Sequence, residues 1–285
     1  MVTFGIHPFV WTDAWSYESV HLIERAKSLG FDVLDIPVRT LDDRDVQATR
    51  AELEALGMRA VAVAGVADPH NLTSSDELIW QTTLEYLRKL VRNTHGIGAT
   101  ILAGVYYGPI SKLVGRGPTE NELARSAAGL KELARYAQDY GVNLALEPVS
   151  RYETYLLNTT QQGLDMLARV DEWNVGLLLD TYQMNIEEKD FYEPLVSAGN
   201  RLFHIHACEN DRGIPGSGLV HWEKVFQGLA EINYTGTLTI ESFVTNVPAV
   251  AASTCIWRKL APDGDTLARE GLAYLKSMAQ KYYLI

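Results

Sequence analysis

The chain has 285 residues, 47% of them hydrophobic, with 36 acidic against 25 basic side chains and a formal net charge of −11. That length and apolar content support one large core, and the acidic balance excludes a phosphate-backbone partner, which needs basic patches. No apolar run approaches the ~18 residues of a membrane span, and MVTFGIHPFVW has no basic leader region, so no membrane partner is expected and the location defaults to the cytoplasm.

In chain order, short β-branched and leucine-rich runs recur at TFGIHPFV, FDVLDIPV, RAVAVAG, ATILAGVYY, NLALEPV, VGLLLDTY, LFHIHA and TGTLTIES, with helical periodicity between them. Eight such alternations predict a (β/α)8 barrel forming a single domain over residues 1–285. The first helix is expected over Tyr17 to Leu29, with Val20, Ile23 and Ala26 on one stripe, and the last over Thr266 to Tyr283. Ser74 with Glu77, Thr119 with Glu122, and Thr159 with Gln162 have capping-box spacing, while Gly30, Gly57 and Gly141 stand where helices should stop. A doubly wound open sheet is the alternative. It is disfavoured because it binds at one switch point, whereas the residues below close four consecutive runs.

Glu147 in NLALEP, Asp180 in VGLLLD, His206 in LFHIH and Glu241 in TLTIE each end an apolar run just before polar loop sequence. Any one of them reads as an ordinary polar residue opening a loop. Four in succession read as a shared site, because ionised groups beside packed strand ends are costly unless paired or coordinated. Three carboxylates and an imidazole make a hard, oxygen-rich donor set suited to Mn²⁺ or Mg²⁺, with Co²⁺ or Zn²⁺ as further options. Glu147 and Glu241, from the fifth and eighth runs, are placed to work on opposite faces of a bound substrate, removing and returning a proton.

Around this set, Arg212 in HACENDRG offers a positive charge for substrate oxygens or is a solvated loop residue, and Glu153 in RYETYLLNT can hydrogen-bond a ligand above the rim. His204, in phase with His206, reads as a hydrogen-bonded barrel residue rather than a fifth ligand. His7, Trp11, Tyr106 and Tyr107 are candidates for the pocket wall or for core packing. Cys208 and Cys255 read as reduced thiols with no nucleophile pattern. The glycines of RGIPGSGLVHW lack the third glycine of a dinucleotide fingerprint and read as a loop bending over the site.

Taken together, LEPVSRYETYLLNT, LLDTYQMNIEE, HIHACENDRGIPGSG and TIESF, with GIHPFVW and Ile256 to Arg258, resemble the ketose 3-epimerases of the xylose-isomerase-like barrels over nearly the whole chain. The resemblance implies one Mn²⁺ or Co²⁺ held by Glu147, Asp180, His206 and Glu241, with Glu147 and Glu241 doubling as the acid/base pair. It implies substrate contacts from Glu153 and Arg212, a small sugar as partner, a cis-enediolate intermediate, and a homodimer or homotetramer. The family pattern usually has His at Gln183, a position expected to touch the substrate, and Glu at Asp35. Cys208 and Glu209 are a further departure. The alternatives are an aldose–ketose isomerase with the same metal site, or a lyase or deglycosidase acting on 3-keto sugars. An endonuclease of the superfamily would need extra His ligands and a basic face. A non-catalytic sugar-binding barrel would bind without turnover.

Overall fold

The computed structural model describes residues 1–285 and closes eight parallel strands into a barrel. These are β1 (Thr3–Ile6), β2 (Val33–Pro37), β3 (Arg59–Val63), β4 (Ile101–Gly104), β5 (Asn143–Leu146), β6 (Val175–Asp180), β7 (Leu202–His206) and β8 (Thr237–Ile240). Each strand lies beside the next in sequence, and β1 pairs with β8 from Thr3 opposite Thr237 to Ile6 opposite Ile240, so no sheet edge is left open. Each of the eight sequence runs contains one strand. TFGIHPFV is cut short because Pro8 has no N–H for a ladder and the His7 ring accepts from the Phe9 N–H, turning Pro8–Val10 into a 3-10 helix.

The helices are α1 (His21–Leu29), α2 (Asp43–Leu56), α3 (Glu77–Gly96), α4 (Glu120–Asp139), α5 (Thr160–Val170), α6 (Thr181–Glu187), α7 (Glu193–Ala198), α8 (Trp222–Glu231), α9 (Pro248–Ser253) and α10 (Gly264–Lys281). None is long and apolar enough to cross a membrane. Reciprocal capping boxes form at Thr119/Glu122 and Thr159/Gln162 as expected. The expected box at Ser74/Glu77 does not form. Asp76 caps α3 instead, accepting from the N–H groups of Leu78 and Ile79, because its charged carboxylate lies nearer the positive end of the helix; Ser74 accepts from Asp76 N. The first helix is also shorter than Tyr17 to Leu29. Ser16 caps a separate 3-10 turn over Tyr17–Ser19, and α1 follows with Leu22, Ile23 and Ala26 buried.

Most apolar side chains pack between strands and helices, while Val33, Val61, Val63, Ala103, Ala145 and Leu178 form a smaller cluster inside the ring. Strand side chains alternate faces with a period of two, so residues two further along point the same way one layer higher. Ala145 thus leads to Glu147 and Leu178 to Asp180, and on β7 and β8 His204 leads to His206 and Thr239 to Glu241. The four ends rise to the carboxyl rim, the face where a barrel of this kind gathers its reacting groups.

Candidate active site

The donor atoms of Glu147, Asp180, His206 and Glu241 all lie within 4.8 Å of one another. Donors on opposite sides of one cation at roughly 2.0–2.4 Å stand about that far apart. The His206 Nδ1 atom is 3.2 Å from Glu241 Oε2 but makes no hydrogen bond, although it is buried. An orphaned buried nitrogen costs about 1–3 kcal/mol, so its placement calls for a ligand between the two groups.

The electrostatics ask for the same ligand. Burial, with the Glu241 and Asp180 charges added and His206 opposing, pushes the Glu147 carboxyl well above its ordinary value. Burial also lifts Asp180, Arg212 only partly offsetting it. Burial disfavours a charged His206 ring, yet Glu241 and Asp35 outweigh it and hold the imidazole well above its usual value. Burial likewise pushes Glu241 up, and His206 and Arg212 more than reverse this, keeping it well below the carboxylate range. A field that draws a proton to Nδ1 and penalises clustered carboxylates is a field that a divalent cation satisfies.

Residues 23–278 match the family model described as a xylose isomerase-like TIM barrel. An L-ribulose 3-epimerase of Methylomonas sp. is 37% identical over 276 residues, covering 96% of both chains, and a probable ketose 3-epimerase of Synechocystis sp. is 33% identical over 279 residues, covering 98% of this chain and 97% of its own. The crystal structure of a D-allulose 3-epimerase from Methylomonas sp. in complex with D-allulose superposes with a TM-score of 0.91 at 36% identity, over 97% of each chain. This chain belongs to the ketose 3-epimerase family. It is accordingly an isomerase of the carbohydrate epimerase type.

Below the rim of this family member, Asp35 is fully buried and collects three donors. Its Oδ2 accepts from His204 Nε2 at 2.7 Å and His206 Nε2 at 3.1 Å, and its Oδ1 from the Thr239 hydroxyl at 2.9 Å. A carboxylate only accepts, so His206 Nε2 carries a proton and Nδ1 is the ring atom left facing the rim, for a proton or a cation. Burial raises the Asp35 carboxyl, but the two imidazoles outweigh it and hold it well below its ordinary value. Gly5 makes room for this layer: a Cβ there would meet Thr239 Oγ1 at 2.3 Å.

Arg212 is buried, not solvated. Its Nη1 donates to Asp180 Oδ2 at 2.6 Å and Glu241 Oε2 at 2.9 Å, and the guanidinium lies over the Tyr182 ring, 4.1 Å from its centre. Glu153 and Gln183 meet beside it, Gln183 Nε2 donating to Glu153 Oε1 at 2.7 Å. Together with His7, Glu147, His206 and Glu241 they border a cavity of about 570 Å³, a size suited to a small molecule. Burial lowers the His7 ring to about 4, so it is a neutral imidazole, with its Nδ1 already taken by the Phe9 N–H.

The other three wall candidates take the packing role. Tyr106 and Tyr107 are fully buried, their hydroxyls donating to the Leu102 and Glu147 carbonyls, and the Trp11 indole donates to Asp265 on α10. His204 is the hydrogen-bonded barrel residue expected. Cys208 is buried with its thiol pushed up by burial and donating to the Glu241 carbonyl, which is not the setting of a nucleophile. The loop after β7 folds around Glu209, whose carboxylate accepts from Gly216 N, Val220 N and Trp222 Nε1, so these N–H groups form no phosphate cradle. Sequence reasoning missed Arg39, Ser111 and Ser253–Cys255 in the cavity wall, because they come from loops and from the end of the six-residue α9, which carry no periodic signal.

Proposed function

We propose that this enzyme epimerises a free ketose at C3 through a cis-enediolate, with Glu147 and Glu241 as the proton carriers. The carrying observation is the convergence of Glu147, Asp180, His206 and Glu241 within 4.8 Å, from strand ends spread over half the ring. A divalent cation held by these four side chains, Mn²⁺ or alternatively Co²⁺ or Mg²⁺, would supply positive charge for the enediolate oxygens. One glutamate removes the C3 proton and becomes the neutral acid; the other, protonated at the start, delivers its proton to the opposite face, and exchange with solvent resets the pair. Arg212 supplies a fixed positive charge beside the reacting oxygens, while Glu153 and His7 hold the sugar against a wall in which Gln183 stands hydrogen-bonded to Glu153.

The two Methylomonas sp. relatives, named for L-ribulose and for D-allulose and the latter crystallised with D-allulose, support a ketose as substrate. On this reading, residues 1–285 act as one catalytic domain, in the cytoplasm, as a homodimer or homotetramer.

The test is proton NMR in D₂O with Mn²⁺-loaded enzyme and D-fructose, D-tagatose, D-allulose and L-ribulose. Deuterium should enter at C3 with inversion, disappear after EDTA treatment and return with added Mn²⁺. Label at C1 or C2 instead would make the protein an aldose–ketose isomerase.

A further inference from the structure

Gln183 sits in the first turn of α6, three residues after Asp180, which caps that helix by accepting from Tyr182 N at 2.8 Å. Residues three apart share a helix face, so the helix that starts at a candidate metal ligand also turns Gln183 toward the loop after β5. There its amide is used at both ends. The Oε1 atom accepts from the Ser150 backbone N–H at 2.8 Å, and Nε2 donates to Glu153 Oε1 at 2.7 Å. The orientation follows from the partners: the Ser150 N–H can only donate, so the oxygen must face it and the NH₂ must face Glu153. The reverse orientation would set donor against donor and acceptor against acceptor.

The loop itself is anchored separately. Arg151 makes a two-pronged ion pair with Glu187 in the next turn of α6, and the Ser150 carbonyl accepts from Glu153 N and Thr154 N. The Gln183 bridge therefore adds little to holding the loop. Its distinctive effect falls on one carboxylate, which faces the cavity and receives from Gln183 a donor and no acceptor. Burial lifts the Glu153 carboxyl, while the Gln183 hydrogen bond and Arg212 pull it back toward the ionised form.

We infer that Gln183 is a positioning residue: it fixes the Glu153 carboxylate as an acceptor at the cavity wall, so that this wall reads a donating hydroxyl of the sugar. The inference rests on the ketose epimerase reading and names a specificity element within it. Glu153 is the group that contacts substrate, and Gln183 acts through it, its second Nε2 hydrogen having no protein acceptor.

A double-substitution cycle with Gln183→Met, which keeps volume and removes both hydrogen bonds, and Glu153→Gln tests this. KM, kcat and the Kd for D-allulose would be measured for both single variants and the pair. Losing one hydrogen bond to a charged group corresponds to roughly ten- to a hundredfold in affinity. Gln183→Met should raise KM and Kd by about that factor with a much smaller change in kcat, and should have almost no further effect once Glu153 is Gln. Gln183→His, which retains a donor, should recover part of the loss. Additive losses in the double variant, or a fall in kcat with KM unchanged, would overturn the inference. Melting temperatures close to wild type identify a local effect; a variant that melts much lower and binds no worse once refolded also counts against it. A wild-type protein that binds the ketose without turning it over would defeat the epimerase reading alone, since the cycle run on Kd still decides the role of Gln183.

Discussion

The two halves of the barrel carry different work. From β5 to β8 come all four converging donors, together with Glu153, Gln183 and Arg212. From β1 to β4 come Asp35, which fixes the His206 ring from below, and His7, a neutral wall residue. The strand ends of β3 and β4, around Val63–Gly65 and Gly104–Val105, offer only small or apolar surface to the cavity. On the proposed mechanism, one half supplies groups that change charge beside the substrate, and the other supplies the shape and support that hold them. Substitutions in the two halves should therefore fail in different ways.

The largest effect is expected from the reactive half. Glu147→Gln and Glu241→Gln keep size and remove the proton-carrying group, and acid–base catalysis of this kind is worth about 10²–10⁴-fold. Each variant should lose about a thousandfold or more in the rate of C3 exchange, measured by deuterium wash-in, with its circular dichroism unchanged. Activity within tenfold of wild type in either variant would break the two-glutamate assignment.

A smaller effect, and one on binding rather than chemistry, is expected from the supporting half. Asp35→Asn keeps the shape but must turn one NH₂ toward His204, His206 or Thr239, all of which donate to Asp35. Carboxylates that orient a metal-binding histidine are worth roughly 10–100-fold in metal affinity. Calorimetric titration with Mn²⁺ should show a loss of that size, while kcat at saturating Mn²⁺ stays near wild type. Unchanged affinity would mean that the β2 carboxylate does not orient His206.

The same division explains what the sequence made legible. The barrel was readable because eight apolar runs and their helix stops are local signals; Gly30 and Gly57 indeed end α1 and α2 in the left-handed conformation. The four rim donors were readable because each one is a polar side chain closing an apolar run. The role of Asp35 was not, although the position stood out as a departure from the family's usual Glu, because it lies within its strand run, in VLDIP, and its partners come from β7 and β8, some 170 and 204 residues away in sequence. The burial of Arg212 was equally hidden. It depends on a loop that folds back through the left-handed backbone at Arg212 itself, with φ 64°, an arrangement that only the assembled rim reveals.

The smallest effect concerns a carboxylate outside the barrel, on the helix that follows β4. Glu122 in α4 accepts from Thr119 N and its hydroxyl, from both Arg116 nitrogens and from the Tyr155 hydroxyl. The Arg116 guanidinium leads, with Thr119 and Tyr155 adding, and together they outweigh burial and lower the Glu122 carboxyl to about 2. A native value below the unfolded one means that the unfolded chain binds the proton first as pH falls. The stability Glu122 contributes is thus complete above pH ~4.5 and disappears between there and about 2. Arg116 is half exposed, so solvent screening keeps the gain near that of an ordinary helix cap, about 1 kcal/mol. Glu122→Gln should therefore unfold more easily than wild type in urea at pH 7, lose that deficit as the pH is brought below 4, and keep its kcat throughout the neutral range. A fall in kcat would place a carboxylate of the supporting half in the chemistry and blur the line between the two.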